Sequence, residues 1–126
     1  MKYLGVDYGS KRIGIAVSNE NGSVAFPKKV LTNNKEWFNS LLLLCKEENI
    51  DGGIVFGESK NFAMDENPIM KQIHGAIKQL KKECVLPVFL QPEFMTSRQA
   101  NRFQKEDEMH DARAAAIILQ TFLDKK

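Results

Sequence analysis

Cysteine and histidine are scarce in this chain of 126 residues, with two of each. Cys45 and Cys84 lie far apart, and neither belongs to a Cys-x-x-Cys pair. Both fall on apolar helix faces, so they read as reduced core cysteines rather than as a disulfide. His74 and His110 do not complete a zinc ligand set. No Cys, Ser or His constellation offers a nucleophilic centre. Long apolar runs are missing too: the longest, Ala114 to Leu119, is far too short to span a membrane. Asp7 and Lys11 interrupt any signal-peptide core at the N-terminus. These absences lead to the expectation of a cytoplasmic protein with no membrane partner. No repeats, low-complexity tracts or linkers appear, and the length suits a single domain, 1–126, with a real hydrophobic core.

What is present starts with an uneven charge. The net value of +2 conceals basic ends and an acidic middle. Residues 1–35 carry six Lys/Arg against two acids, residues 36–66 two against seven, and residues 67–126 ten against seven. The basic ends favour an anionic partner such as nucleic acid, although a solvated surface would look the same.

In chain order, Lys2–Asp7 reads as a buried strand, Tyr8-Gly9-Ser10 as a turn and Lys11–Ser18 as its hairpin partner. Asn19–Gly22 is a turn signal of the tight Asn-Gly kind. Ser23–Leu31 reads as a third strand, placed at an edge or bulge by Pro27. A helix is expected over about 35–48, capped by Asn33 or Asn34, with Trp37, Phe38, Leu41, Leu42, Leu44 and Cys45 on its apolar face. Gly52–Gly57 is nearly all apolar, as a central parallel strand covered on both faces would be. A polar loop over 58–66 leads to a helix starting at Asn67-Pro68, and Leu86–Leu90 reads as a fifth strand. Thr96–Gln99 matches a capping box, so another helix begins there. The last helix runs from about Asp111 to Leu123. The expected fold class is α/β: a mixed five-stranded sheet, order 3-2-1-4-5, strand two antiparallel, with helices on both faces.

Three carboxylates can meet in this topology. Asp7 ends strand one and Glu93 follows strand five, so parallel strands would bring both to one sheet edge, where ligands of open α/β sheets bind. Asp111 opens the last helix and shares its apolar face, and the neighbouring alanines let that turn lie close to the sheet. Two of them have an alternative reading: Asp7 as a turn stabiliser, Asp111 as an ordinary N-cap or first-turn acid. Clustered carboxylates need a counter-charge, and Mg²⁺ or Mn²⁺ is the natural one. Two such ions about 3.5–4 Å apart can activate water and stabilise the leaving oxygen of a phosphodiester, with Asp7 bridging them.

The stretch Gly5-Val6-Asp7-Tyr8-Gly9-Ser10-Lys11-Arg12-Ile13-Gly14-Ile15-Ala16-Val17-Ser18 resembles, nearly residue for residue, the opening motif of the YqgF family of RNase H-like nucleases. Gly53–Gly57 is similar to that family's central strand, and Asn61 to an Asn of the loop after it. Glu93–Ala100 is similar to its acidic motif, and Asp111–Gln120 to its closing helix. Members are described as pre-16S rRNA nucleases and, earlier, as Holliday junction resolvases. The resemblance covers the whole chain and implies an RNase H-like fold. It further implies divalent metal held by Asp7, Glu93 and Asp111, and a structured RNA or branched DNA substrate. Lys11, Arg12 and Arg98 are the candidate phosphate-binding residues. A solvated hairpin charge is the competing reading of Arg12.

Four positions depart from the family pattern: Pro92 stands where Asp is usual, Phe94 where Arg is usual, Ser59 for a Pro and Asn19 for an Asp. The first two favour, as a second reading, a non-catalytic nucleic-acid or protein-binding module on a decayed nuclease. A sugar-kinase, actin or chaperone-type ATPase would open on a similar Asp-x-Gly turn. It would also need a second lobe and a later Gly-rich phosphate segment, and neither is found.

Overall fold

Side-chain alternation along the first strand, β1 (Tyr3–Tyr8), divides the molecule into two layers. Leu4 and Val6 point into one core, whereas Tyr3 points into another on the opposite face. The structure is a computed structural model and describes residues 1–58, 69–92 and 109–126. The remaining strands are β2 (Arg12–Ser18), β3 (Ala25–Thr32), β4 (Gly53–Glu58) and β5 (Val88–Pro92). The described helices are α1 (Trp37–Glu47), α2 (Ile69–Glu83) and α3 (His110–Lys125).

The sheet order is β3-β2-β1-β4-β5, as the chain order predicts. β2 runs antiparallel to both neighbours, and β4 and β5 are parallel to β1. Large apolar side chains of the sheet, among them Ile13, Ile15, Ile54 and Phe56, face α1 and α2. Burying each such side chain contributes about 1.5–3 kcal/mol. The other face carries Tyr3 together with smaller residues. Gly5 lies against Leu119 and Ala115, and Ala16 and Val55 join Ala115, Ile118 and Leu119 in the second core. Small residues on that face let the α3 backbone approach the sheet closely.

Local details differ from the sequence expectations. The hairpin after β2 is not a tight Asn-Gly turn, because Asn19 organises a longer loop. Its backbone N–H donates to Val24 O (3.0 Å), and its Oδ1 accepts from Ser23 N (2.8 Å) and Val24 N (3.1 Å). Gly22 still takes the left-handed φ of 69° within that loop. Pro27 does sit at an edge bulge: Ile15 pairs with Lys29 and Ala16 with Pro27, leaving Lys28 as the extra residue. Neither expected asparagine caps α1 directly. Asn34 Oδ1 accepts from Glu36 N (2.9 Å), one residue before the helix, and Asn33 turns to the β1–β2 turn instead. Cys45 is buried, and burial pushes its thiol up to about 12, as an inert core cysteine requires. The loop over 59–66, Asn61, the Asn67-Pro68 cap and the helix expected from Thr96 lie outside the described residues. Among the described residues, no helix is long and apolar enough to cross a membrane.

Candidate active site

Asp7 is the fifth of the six residues of β1 and half-buried. It shares its face with Gly5, two residues earlier, and that face meets α3. Directly across the antiparallel pair stands Gly14 of β2. Opposed Cα atoms in such pairs are roughly 4.5–5.5 Å apart. A Cβ built on Gly14 would lie 1.9 Å from the carbonyl oxygen of Asp111 and 2.2 Å from its carbonyl carbon. The first turn of α3 therefore rests its backbone on Gly14. Asp7 and Asp111, far apart in sequence, come to adjoining positions around one glycine.

Arg12 precedes Gly14 by two residues and shares its face. Its Nε donates to Asp111 Oδ2 at 2.7 Å. The Arg12 side chain is 63% exposed and that of Asp111 22%. Arg12 is a largely exposed hairpin charge that is also ion-paired to one of the expected metal-binding acids. Lys11 is exposed on the turn beside it. That turn is anchored from three directions. Gly9 N donates to Arg12 O (3.0 Å), Asn33 Nδ2 to Gly9 O (2.8 Å), and Asn33 N to Lys11 O (3.0 Å). Gly9 is required there for space rather than for unusual dihedrals, since a Cβ would lie 2.6 Å from Arg12 O.

The carboxyl ends of β1, β4 and β5 open at the same edge, because the three strands are parallel. Pro92 closes β5 in register with Glu58. Glu93 follows Pro92 in the chain but, like Arg98, lies outside the described residues. Among the described residues, no group of three His, Cys, Asp or Glu side chains could hold a metal ion. Asp7 and Asp111 offer carboxylate oxygens, the donor type a hard divalent ion takes. Three features were not foreseen from sequence. One is the Arg12–Asp111 pair. The second is Gly14 as the seat of α3, for which the signal was a glycine inside a strand. The third is Glu58, a further acid at a strand end. By alternation with Phe56 it sits on the α1/α2 face, opposite Asp7.

A mixed sheet of order β3-β2-β1-β4-β5, with β2 antiparallel and helices on both faces, is the RNase H-like fold. The fold is similar to that of Thermus thermophilus RuvC in complex with Holliday junction substrate. The TM-score is 0.63 at 17% identity, covering 99% of this chain and 95% of that one. It is also similar to the fowlpox virus resolvase bound to Holliday junction DNA, with a TM-score of 0.61, 12% identity and coverage of 99% and 98%. At these identities the likeness shows the fold alone.

The chain matches the RuvX family, described as Holliday junction resolvase, over residues 1–125 and belongs to it. A relative from Lawsonia intracellularis named "Putative pre-16S rRNA nuclease" is 40% identical over 135 residues, covering 99% of this chain and 94% of that protein. One of the same name from Rickettsia akari is 34% identical over 134 residues, covering 96% and 84%. With its family, the chain is a nuclease that hydrolyses phosphodiester bonds of nucleic acid.

Proposed function

We propose that residues 1–126 form one nuclease domain that requires Mg²⁺ or Mn²⁺, works in the cytoplasm and trims the 5′ end of pre-16S rRNA during ribosome biogenesis. The observation that carries this reading is the seating of Asp111 on Gly14, directly opposite Asp7. Asp7, Asp111 and Glu93 are the residues that would hold the metal. When bound, two such ions supply an activated water and charge neutralisation at the scissile phosphate. The chain's own contribution is positional. Asp7 is fixed by its pairing with Gly14 of β2, and the β1–β4 ladder holds the strand up to Val6 beside it. The close packing of α3 fixes Asp111, and the anchored turn presents Lys11 and Arg12 to phosphate oxygens. Arg98 is the third residue proposed to bind phosphate. The names of the relatives support the RNA substrate.

Cleavage of branched DNA is the second reading, favoured by the Holliday junctions in the two fold neighbours. The test compares a pre-16S rRNA 5′ precursor with a four-way DNA junction, each with Mg²⁺, with Mn²⁺ and with chelator. The expected result is metal-dependent cleavage of the RNA, abolished by Asp7→Asn without loss of fold. Cleavage confined to the junction supports the second reading. Activity that survives Asp7→Asn in a rigorously purified preparation refutes the site, and metal binding without any cleavage supports a non-catalytic module.

A further inference from the structure

We propose that Arg12 is a resident counter-ion for Asp111, which yields its place to the incoming divalent ion and then engages a phosphate of the substrate. This rests on the metal-dependent nuclease reading above and adds to it an exchange between two partners of one carboxylate. The contact that motivates it is the 2.7 Å bond from Arg12 Nε to Asp111 Oδ2.

Three observations give the pair this character. First, it is built to break. The Arg12 side chain is 63% exposed, so water and salt screen the attraction and the pair holds weakly. Second, the charge it neutralises is the one a metal would claim. The Asp111 backbone seats on Gly14, the cross-strand partner of Asp7, and the guanidinium offsets the negative charge of Asp111. A divalent ion would supply that positive charge instead, and a guanidinium left in place would oppose its entry. Third, only the side chain has to move. The backbone of Arg12 is held by pairing with Thr32 and by the Gly9 hydrogen bond, and Ile13 beside it is fully buried. Released from Asp111, the guanidinium remains tethered at the rim of the site. Its planar fork of N–H donors matches phosphate oxygens there. Metal loading and substrate capture are thereby linked through one side chain.

The test measures the Mn²⁺ dissociation constant by electron paramagnetic resonance of the free ion, with no substrate present. Arg12→Gln is expected to tighten Mn²⁺ binding about two- to fivefold, the range that an exposed ion pair represents. Arg12→Lys, which keeps the charge, should bind Mn²⁺ as the wild type does. In an Asp111→Asn background, adding Arg12→Gln should change nothing. Binding of a labelled RNA stem–loop is read separately in an Asp7→Asn background, where cleavage does not interfere. There Arg12→Gln should weaken affinity and lower the salt slope by about one.

A merely bracing role for Arg12 makes the opposite prediction: Mn²⁺ binding weakens in Arg12→Gln as Asp111 loses its support. That result, or an unchanged Mn²⁺ constant, overturns the exchange. Absence of Asp7-dependent Mn²⁺ binding in the wild type overturns the metal reading and the exchange with it. Asp7-dependent binding that Arg12→Gln fails to tighten overturns the exchange alone.

Discussion

Replacing Gly14 by alanine adds one methyl group at the point where helix and strand backbones touch. That methyl carbon would lie 1.9 Å from Asp111 O, whereas ordinary contact begins at 3.4 Å, so the helix must retreat by about 1.5 Å. The obstacle is backbone on both sides, and no side-chain rotation relieves it. Overpacking of this kind costs about 1–3 kcal/mol. At roughly 4 °C per kcal/mol for a domain of this size, Tm should fall by roughly 4–12 °C. The catalytic loss should be larger than the loss of stability implies. A displacement on the order of 1 Å at a reacting group costs about 100-fold in rate. The assay is a circular-dichroism melt paired with single-turnover cleavage, both read well below the variant's Tm. Gly5→Ala serves as the control. Its Cβ would press on Leu119 Cβ at 2.8 Å, further along α3, so stability should suffer while Asp111 moves less. A Gly14→Ala protein with unchanged Tm and rate refutes the seating argument. So does one whose rate falls no further than that of Gly5→Ala.

Two further outcomes follow from local contacts. Glu48 accepts hydrogen bonds from Lys28 Nζ (2.9 Å) and Lys2 Nζ (3.2 Å), and the Lys28 contact chiefly holds its carboxyl below the ordinary 4.5. A lowered carboxyl pKa stabilises the fold above the unfolded value, and that stability is lost as pH falls through the folded value. Glu48→Gln should therefore cost about 0.5–1 kcal/mol in urea melts at pH 7, with a gap that closes below pH 4.5; a gap constant down to pH 3 would count against the pairing. Asn19→Ala removes two acceptor contacts and the 2.9 Å donation to Ser23 Oγ, and should cost about 1–2 kcal/mol in denaturant. Asn19→Asp keeps both acceptor contacts and should retain most of the stability, and equal losses for the two variants would show that the loop is held otherwise.

Much of the fold is legible in the sequence because its cues are local. Alternation in Tyr3–Asp7 and Arg12–Ser18, and the apolar run Gly53–Gly57, mark strands whose order then follows from the handedness of the crossovers. Boundaries slip where polar residues continue a backbone pattern. β5 was expected to end at Leu90, yet it pairs through Gln91 and Pro92, with Gln91 buried and its Nε2 donating to Pro92 O (3.0 Å). An apolar pattern cannot show a buried glutamine in a ladder. Of the site, Asp7 pairs across the sheet with Gly14, on which the Asp111 backbone rests, while Glu93 falls outside the described residues. The Arg12–Asp111 pair was not legible, since it joins side chains 99 positions apart through the docking of a helix. Gly14 is a glycine inside a strand, and only the fold shows that the start of α3 rests on it.

The separation of Arg12 from Asp111 by 99 positions bears on how the protein is made. Ribosomes add roughly 5–20 residues per second, so Arg12 is polymerised about 5–20 s before Asp111. During that interval β1, β2, β3 and β4 have all been synthesised, but the face that receives α3 is bare. A nascent chain thus carries one acid of the pair without the other. Until the α3 segment has been made, the chain lacks both the carboxylate that pairs with Arg12 and the backbone that seats on Gly14.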